Sequence, residues 1–151
     1  MMTSPPPSSP SGLPNHVITN ARILIVDDDP DIVQLVVRRL QNANHKVRGV
    51  HNAADALAFV TEKGTPDIVV LDVDMPDMDG LALLALLRDQ TGSPELPAIF
   101  LSGRMRPDDI AAGQRLGAIY LTKPFVGTAL VKAIDGIIEA VNDRIATADE
   151  W

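Results

Sequence analysis

The chain has no cysteine, which excludes disulfides, thiolate catalysis and cysteine-ligated zinc. It has no long apolar run either. The longest, Leu81 to Leu87, is far shorter than the ~20 residues a membrane-spanning helix needs. The N-terminus lacks both the basic start and the apolar core of a secretory leader. A cytoplasmic protein without membrane insertion is therefore expected. Positive charge is in deficit, 13 Lys+Arg against 20 Asp+Glu, for a net charge of −7 and a pI near 4.7. Direct nucleic-acid binding would need a basic face, and this balance argues against one.

What is present falls into zones. Five of the twelve prolines lie in the first 14 residues, interleaved with Ser4, Ser8, Ser9 and Ser11. Such a segment buries too little apolar surface to offset its ordering entropy, so residues 1–20 read as a disordered tail. Pro7-Ser8-Ser9-Pro10 is also a PxxP sequence that could dock as a polyproline II helix. Residues 21–143 read as one domain and 144–151 as a short C-terminal tail. No internal repeat is visible.

From Arg22 onward, short apolar runs alternate with amphipathic stretches. Strands are expected over 23–26, 46–50, 68–71, 97–101 and 119–122. Helices are expected over 30–42, 53–62, 80–89 and 107–116, followed by a long one carrying Leu130, Ile134, Ile137, Ile138 and Val141 on one face. Asp29 suits the N-cap of the first helix and Pro30 its first position. Ile68 to Leu71 is β-branched and unalternated, as a parallel strand covered on both sides should be. Gly136 inside the last helix costs roughly 1 kcal/mol relative to alanine, with no reason evident in the sequence. Five strands alternating with five helices predict an α/β fold with a doubly wound parallel sheet and helices on both faces. The flavodoxin-like strand order 2-1-3-4-5 is expected, which sets the first and third strands side by side at the switch point.

That arrangement gathers polar residues at one edge. Asp27 and Asp28 follow the first strand, Asp72 the third, Ser102 the fourth and Lys123 the fifth. Open α/β sheets bind ligands at this carboxyl edge. Crowded carboxylates repel one another unless a cation intervenes, and Mg2+, a hard ion with oxygen ligands, is the natural one. Asp72 is then a candidate nucleophile that would form an acyl phosphate by in-line attack. Mg2+ and Lys123 would neutralise the phosphoryl oxygens, and the Ser102 hydroxyl would bond one of them. Asp74 and Arg104, two residues beyond Asp72 and Ser102, could form a flanking ion pair that obstructs hydrolytic water. The histidines, His16, His45 and His51, read as surface residues.

The segments Ile-Leu-Ile-Val-Asp27-Asp28-Asp29-Pro30, Val-Leu-Asp72-Val-Asp74-Met-Pro76-Asp-Met-Asp-Gly80, Phe-Leu-Ser102-Gly and Tyr120-Leu-Thr-Lys123-Pro124-Phe125 resemble the receiver domain of bacterial two-component response regulators. The similarity covers roughly residues 22–143 and has four motifs in the correct order. It implies that Asp72 is the phosphoacceptor, fed by a sensor histidine kinase or a phosphotransfer protein. It further implies that Asp27 and Asp28 hold Mg2+, with the backbone carbonyl of Asp74 completing the protein ligands. Lys123 and Ser102 match the family's phosphoryl-binding and switch residues, Tyr120 its aromatic switch, and the Lys123–Pro124 peptide is expected to be cis. Output is expected through a downstream protein on the face formed by the fourth helix, fifth strand and fifth helix.

Some features depart from many DNA-binding relatives. An acidic pair is missing in Gly117-Ala118-Ile119-Tyr120, and basic residues are sparse on the last helix. A stand-alone receiver of the chemotaxis or phosphorelay type is the resulting expectation. Three other readings compete. Asp72-Val73-Asp74 is a DxD after a strand, as in haloacid-dehalogenase-type aspartyl phosphatases, although there the acidic pair comes late in the chain. A flavin binder would need amides and hydroxyls where Asp27, Asp28 and Asp29 stand. A phosphorylation-independent pseudo-receiver adaptor would not need all five site residues.

Overall fold

The computed structural model describes residues 17–103, 107–125 and 127–148. Its strands are β1 (Arg22–Val26), β2 (Lys46–Val50), β3 (Ile68–Asp72), β4 (Ala98–Ser102) and β5 (Ile119–Thr122). Its helices are α1 (Pro30–Asn42), α2 (Ala53–Lys63), α3 (Gly80–Thr91), α4 (Pro107–Arg115) and α5 (Gly127–Ala148). All strands are parallel in the order β2-β1-β3-β4-β5, as the alternating pattern predicts.

Local chemistry fixes the element starts. Asp29 Oδ1 accepts the Asp31 amide ahead of α1, Asn52 Oδ1 that of Asp55 in α2, and Asp79 Oδ1 that of Ala82 in α3. Each removes one amide that the first helical turn would leave unpaired. Gly92 stops α3 in the left-handed region at φ 65°, which glycine reaches without a Cβ penalty.

The sheet is packed on both sides. Ile23, Ile25, Ile68, Val70, Ile99 and Leu101 face α1 and α5, while Leu24, Val26, Val69, Leu71 and Phe100 face α2 and α3. Every residue of β3 and β4 is buried, which explains why these strands show no apolar–polar alternation. β2 and β5 are the edge strands and stay partly exposed.

Three expectations shift. The tail was expected to run to residue 20, but Ile18 is only 3% exposed. Its amide donates to Asn142 Oδ1 at 2.8 Å and its carbonyl accepts from Asn142 Nδ2 at 2.9 Å. This reciprocal clamp to α5 depends on a contact 124 residues away in sequence, invisible to local composition. Residues 1–16, including the PxxP sequence, lie outside the described residues. Secondly, α5 runs to Ala148, past the domain end expected at 143, because Ile145 joins Val141 on the apolar face that packs against the core. Thirdly, His45 is buried and not a surface residue: its Nδ1 accepts the Ala21 amide at 3.1 Å.

Candidate functional site

The order of the sheet brings the carboxyl ends of β1 and β3 together. Val26 pairs with Leu71, so the next residues, Asp27 and Asp72, sit side by side. The ends of β4 and β5 follow, with the Lys123 amide donating to the Ser102 carbonyl at 2.7 Å. The Lys123–Pro124 peptide is cis. Asp27, Asp28 and Asp72 each offer a carboxylate oxygen within 4.8 Å of the others. Asp27 and Asp72 are buried and Asp28 is exposed.

Backbone amides hold the two buried carboxylates. Asp27 Oδ1 accepts the Asp29 amide at 2.9 Å, and Asp72 Oδ1 accepts the Asp74 amide at 3.1 Å. Lys123 Nζ lies 2.7 Å from Asp27 Oδ2 and 3.3 Å from Asp72 Oδ1. Asp27 Oδ2 is buried and has no partner in hydrogen-bond geometry, so the ammonium is its sole compensation among the described residues. A buried oxygen in that condition costs free energy that a bound cation recovers. The donor set of hard carboxylate oxygens fits a hard divalent ion such as Mg2+.

The electrostatics are frustrated. Burial, the nearby Asp27 charge and a hydrogen bond with the Asp28 side chain push the Asp72 carboxyl up to about 6, against the Asp74 amide and Lys123. Burial alone would lower the Lys123 ammonium, but its close contacts with Asp27 and Asp72 and their charges outweigh it and raise it. Burial leads the Asp72 shift and the neighbouring Asp27 charge adds to it, whereas for Lys123 the two carboxylates overcome burial.

The remaining expected residues are placed unevenly. Ser102 is buried, and its Oγ donates to Asp74 Oδ2 at 3.5 Å. Tyr120 is half-buried, its ring centroid 5.1 Å from that of Phe100 at an interplanar angle of 45°. Arg104, one half of the expected flanking pair, lies outside the described residues.

Two glycines carry functions that sequence inspection did not assign. A Cβ on Gly80 would stand 2.5 Å from the Asp72 carbonyl oxygen, so only glycine lets α3 begin against the backbone of Asp72. A Cβ on Gly113 would meet Tyr120 Cε2 at 2.0 Å, so α4 carries a slot that receives the ring. Gly80 follows a capping aspartate, a detectable signal. Nothing near Gly113 in sequence points to Tyr120. Asp77 also ties the loop after β3 to α2, since its Oδ2 accepts the Ala53 amide at 2.8 Å.

Comparisons with known proteins agree with this architecture. Residues 23–135 match the family described as the response regulator receiver domain. The transcriptional regulatory protein PrrA of Mycobacterium tuberculosis is 34% identical over 134 residues, 88% of this chain and 56% of PrrA. Protein PilH of Pseudomonas aeruginosa is 32% identical over 119 residues, 78% of this chain and 98% of PilH. The chain spans about half the length of the PrrA and TrcR regulators it matches (56%, 51% and 49%). Among solved structures, the chemotaxis protein CheY4 of Vibrio cholerae superposes with a TM-score of 0.72 at 30% identity, covering 79% of this chain and 99% of that one. NtrX of Brucella abortus gives 0.79 at 32% identity, covering 88% of this chain and 30% of that one. Among the described residues, no helix is long and apolar enough to cross a membrane. With four motifs at the strand ends, the 2-1-3-4-5 sheet and a family match over most of its length, this chain belongs to the response regulator receiver domains.

Proposed function

We propose that this receiver is a phosphorylation-controlled switch in a two-component phosphorelay, with Asp72 as its phosphoacceptor. As a receiver it is a signalling protein and not a conventional enzyme. The observation that carries the proposal is the convergence of Asp27, Asp28 and Asp72 within 4.8 Å, with Lys123 at 2.7 and 3.3 Å from two of them.

In the proposed step an Asp72 carboxylate oxygen attacks the phosphorus of a phosphohistidine on a histidine kinase or phosphotransfer protein. The new O–P bond forms as the P–N bond breaks, and the imidazole nitrogen keeps the electron pair and takes up a proton. Asp27, Asp28, Asp72 and the Asp74 carbonyl would hold Mg2+, which supplies charge neutralisation for the phosphoryl oxygens. Lys123 would turn from Asp27 toward a phosphoryl oxygen, and Ser102 would exchange its long contact with Asp74 for another. These differential contacts are what bias two arrangements of the α4/β5/α5 face around Tyr120. A downstream protein docking there would read the change. Neither direct nucleic-acid contact nor membrane insertion is part of the proposal.

Beryllofluoride, a stable phosphoryl mimic, tests it. With Mg2+ it should move the NMR signals of Ser102, Lys123 and Tyr120 in the wild type and leave Asp72→Asn unchanged. Signals that ignore beryllofluoride in the wild type would leave a pseudo-receiver adaptor as the better description.

A further inference from the structure

The opposite edge of the sheet carries a feature that the acidic site does not use. Between β2 and the C-terminal half of α2 lies a groove of about 480 Å³, within the size range of small-molecule sites. Arg22, Lys46, Arg48 and Lys63 line it, along with half-buried Phe59 and buried His45. Four cations around one concavity are unexpected in a chain of net charge −7. β1 is five residues long, which puts the groove about 16 Å from the carboxyl edge.

Two of the four charges are paired locally and two are not. Arg22 Nε is 3.7 Å from Asp67 Oδ2, and Lys63 Nζ is 3.8 Å from Glu62 Oε1. Among the described residues, neither Lys46 nor Arg48 has a carboxylate within the 4.0 Å limit of an ion pair. Arg22 and Lys46 are direct register partners on adjacent parallel strands, a like-charge pairing that destabilises a sheet. Protection of an exposed edge strand explains lysine and arginine on β2. It does not extend to Arg22, at the start of β1, whose guanidinium pairs with Asp67 and donates to the Thr65 carbonyl at 3.2 Å, or to Lys63 in the last turn of α2.

We infer that this groove is a binding site for a small phosphate-bearing anion of nucleotide size. Two guanidinium forks and two ammoniums suit the dispersed charge of a di- or triphosphorylated group better than a single carboxylate. Phe59 adds an apolar surface beside them for the body of such a ligand. An acidic peptide fits less well, because the cations converge on one concavity from two strands and a helix and do not run along an edge.

The test is calorimetric titration of the full chain with inorganic pyrophosphate and with AMP, in Mg2+-free buffer containing chelator. One saturable site per chain is expected for pyrophosphate. Lys46→Glu and Arg48→Glu should each weaken it roughly tenfold or more, since each removes a charged contact. Asp72→Asn should leave it unchanged, which separates this site from the acidic one. Both reversed positions are exposed, and a thermal melt confirms folding. Lys46→Gln and Arg48→Gln, which remove charge without reversing it, should weaken binding in the same direction. Absence of pyrophosphate binding, binding indifferent to all four variants, or binding of poly-glutamate but not pyrophosphate would each overturn the assignment. AMP binding lost in Phe59→Ala, with pyrophosphate binding retained, would place the nucleoside on Phe59.

Discussion

Lys123 sits closer to Asp27 than to Asp72: its Nζ is 2.7 Å from Asp27 Oδ2 and 3.3 Å from Asp72 Oδ1. The ammonium therefore occupies the charge-neutralising role that a bound divalent ion would take. A divalent ion held there would compete with the ammonium for the same carboxylates. Lys123→Ala should tighten Mg2+ binding by about threefold or more, because a positive charge leaves the site. Calorimetric Mg2+ titration of the two proteins decides this, and weaker binding in Lys123→Ala would refute the competition.

Tyr120 rests in the slot that Gly113 leaves in α4, where an added Cβ would overlap the ring. The ring can leave by rotating outward, whereas the helix backbone cannot yield as easily. Gly113→Ala should therefore expose Tyr120. The chain has one tyrosine, so its nitration by tetranitromethane reports on it alone. A several-fold faster reaction in the variant is expected. An unchanged rate would mean that α4 moves instead.

His45 gives a pH dependence of defined sign. Its Nδ1 accepts the Ala21 amide, so protonation removes an acceptor, and burial lowers its pKa from 6.5 despite the opposing charge of Asp135. The folded pKa lies below the unfolded one. This contribution is thus complete above pH 6.5 and is lost as pH falls from there toward the folded value. Asp72 acts oppositely, since a carboxyl raised to about 6 takes up a proton in the folded state and gains stability as pH falls through that value. Comparing urea midpoints of wild type and His45→Gln at pH 7.5 and 5.5 isolates the histidine. The wild type should lose on the order of 1 kcal/mol more than the variant. Equal losses would show that His45 does not titrate in this range.

Among the described residues, Gly136 has no structural justification. A Cβ there meets no atom within 4 Å, and the position is exposed on α5. Gly136→Ala should raise stability by about 0.5–1 kcal/mol, visible as a Tm increase of a few degrees. A decrease would point to a contact outside the described residues.

How much of this was legible in the sequence depended on range. β3 was readable because an unalternated β-branched run can be satisfied only by burial on both faces, and the α1 start because Asp29-Pro30 is a local capping signal. The edge-wise gathering of Asp27, Asp72, Ser102 and Lys123 followed from strand order alone. Ile18 against Asn142, Ala21 on His45 and Tyr120 against Gly113 were not readable, because each joins positions that no periodicity relates. The nearer approach of Lys123 to Asp27 was also beyond reach: strand ends place a lysine near a site but do not choose between carboxylates 2.7 and 3.3 Å from it. The receiver assignment displaces the phosphatase and flavin-binding alternatives.

As proposed above, Asp72 accepts a phosphoryl group with help from a divalent cation. Intact-mass spectrometry after incubation with acetyl phosphate tests it most directly, on wild type with Mg2+, wild type with excess chelator, and Asp72→Asn with Mg2+. One phosphoryl group should be added in the first sample and none in the other two. An adduct that persists in Asp72→Asn, or forms equally well in chelator, would contradict the claim.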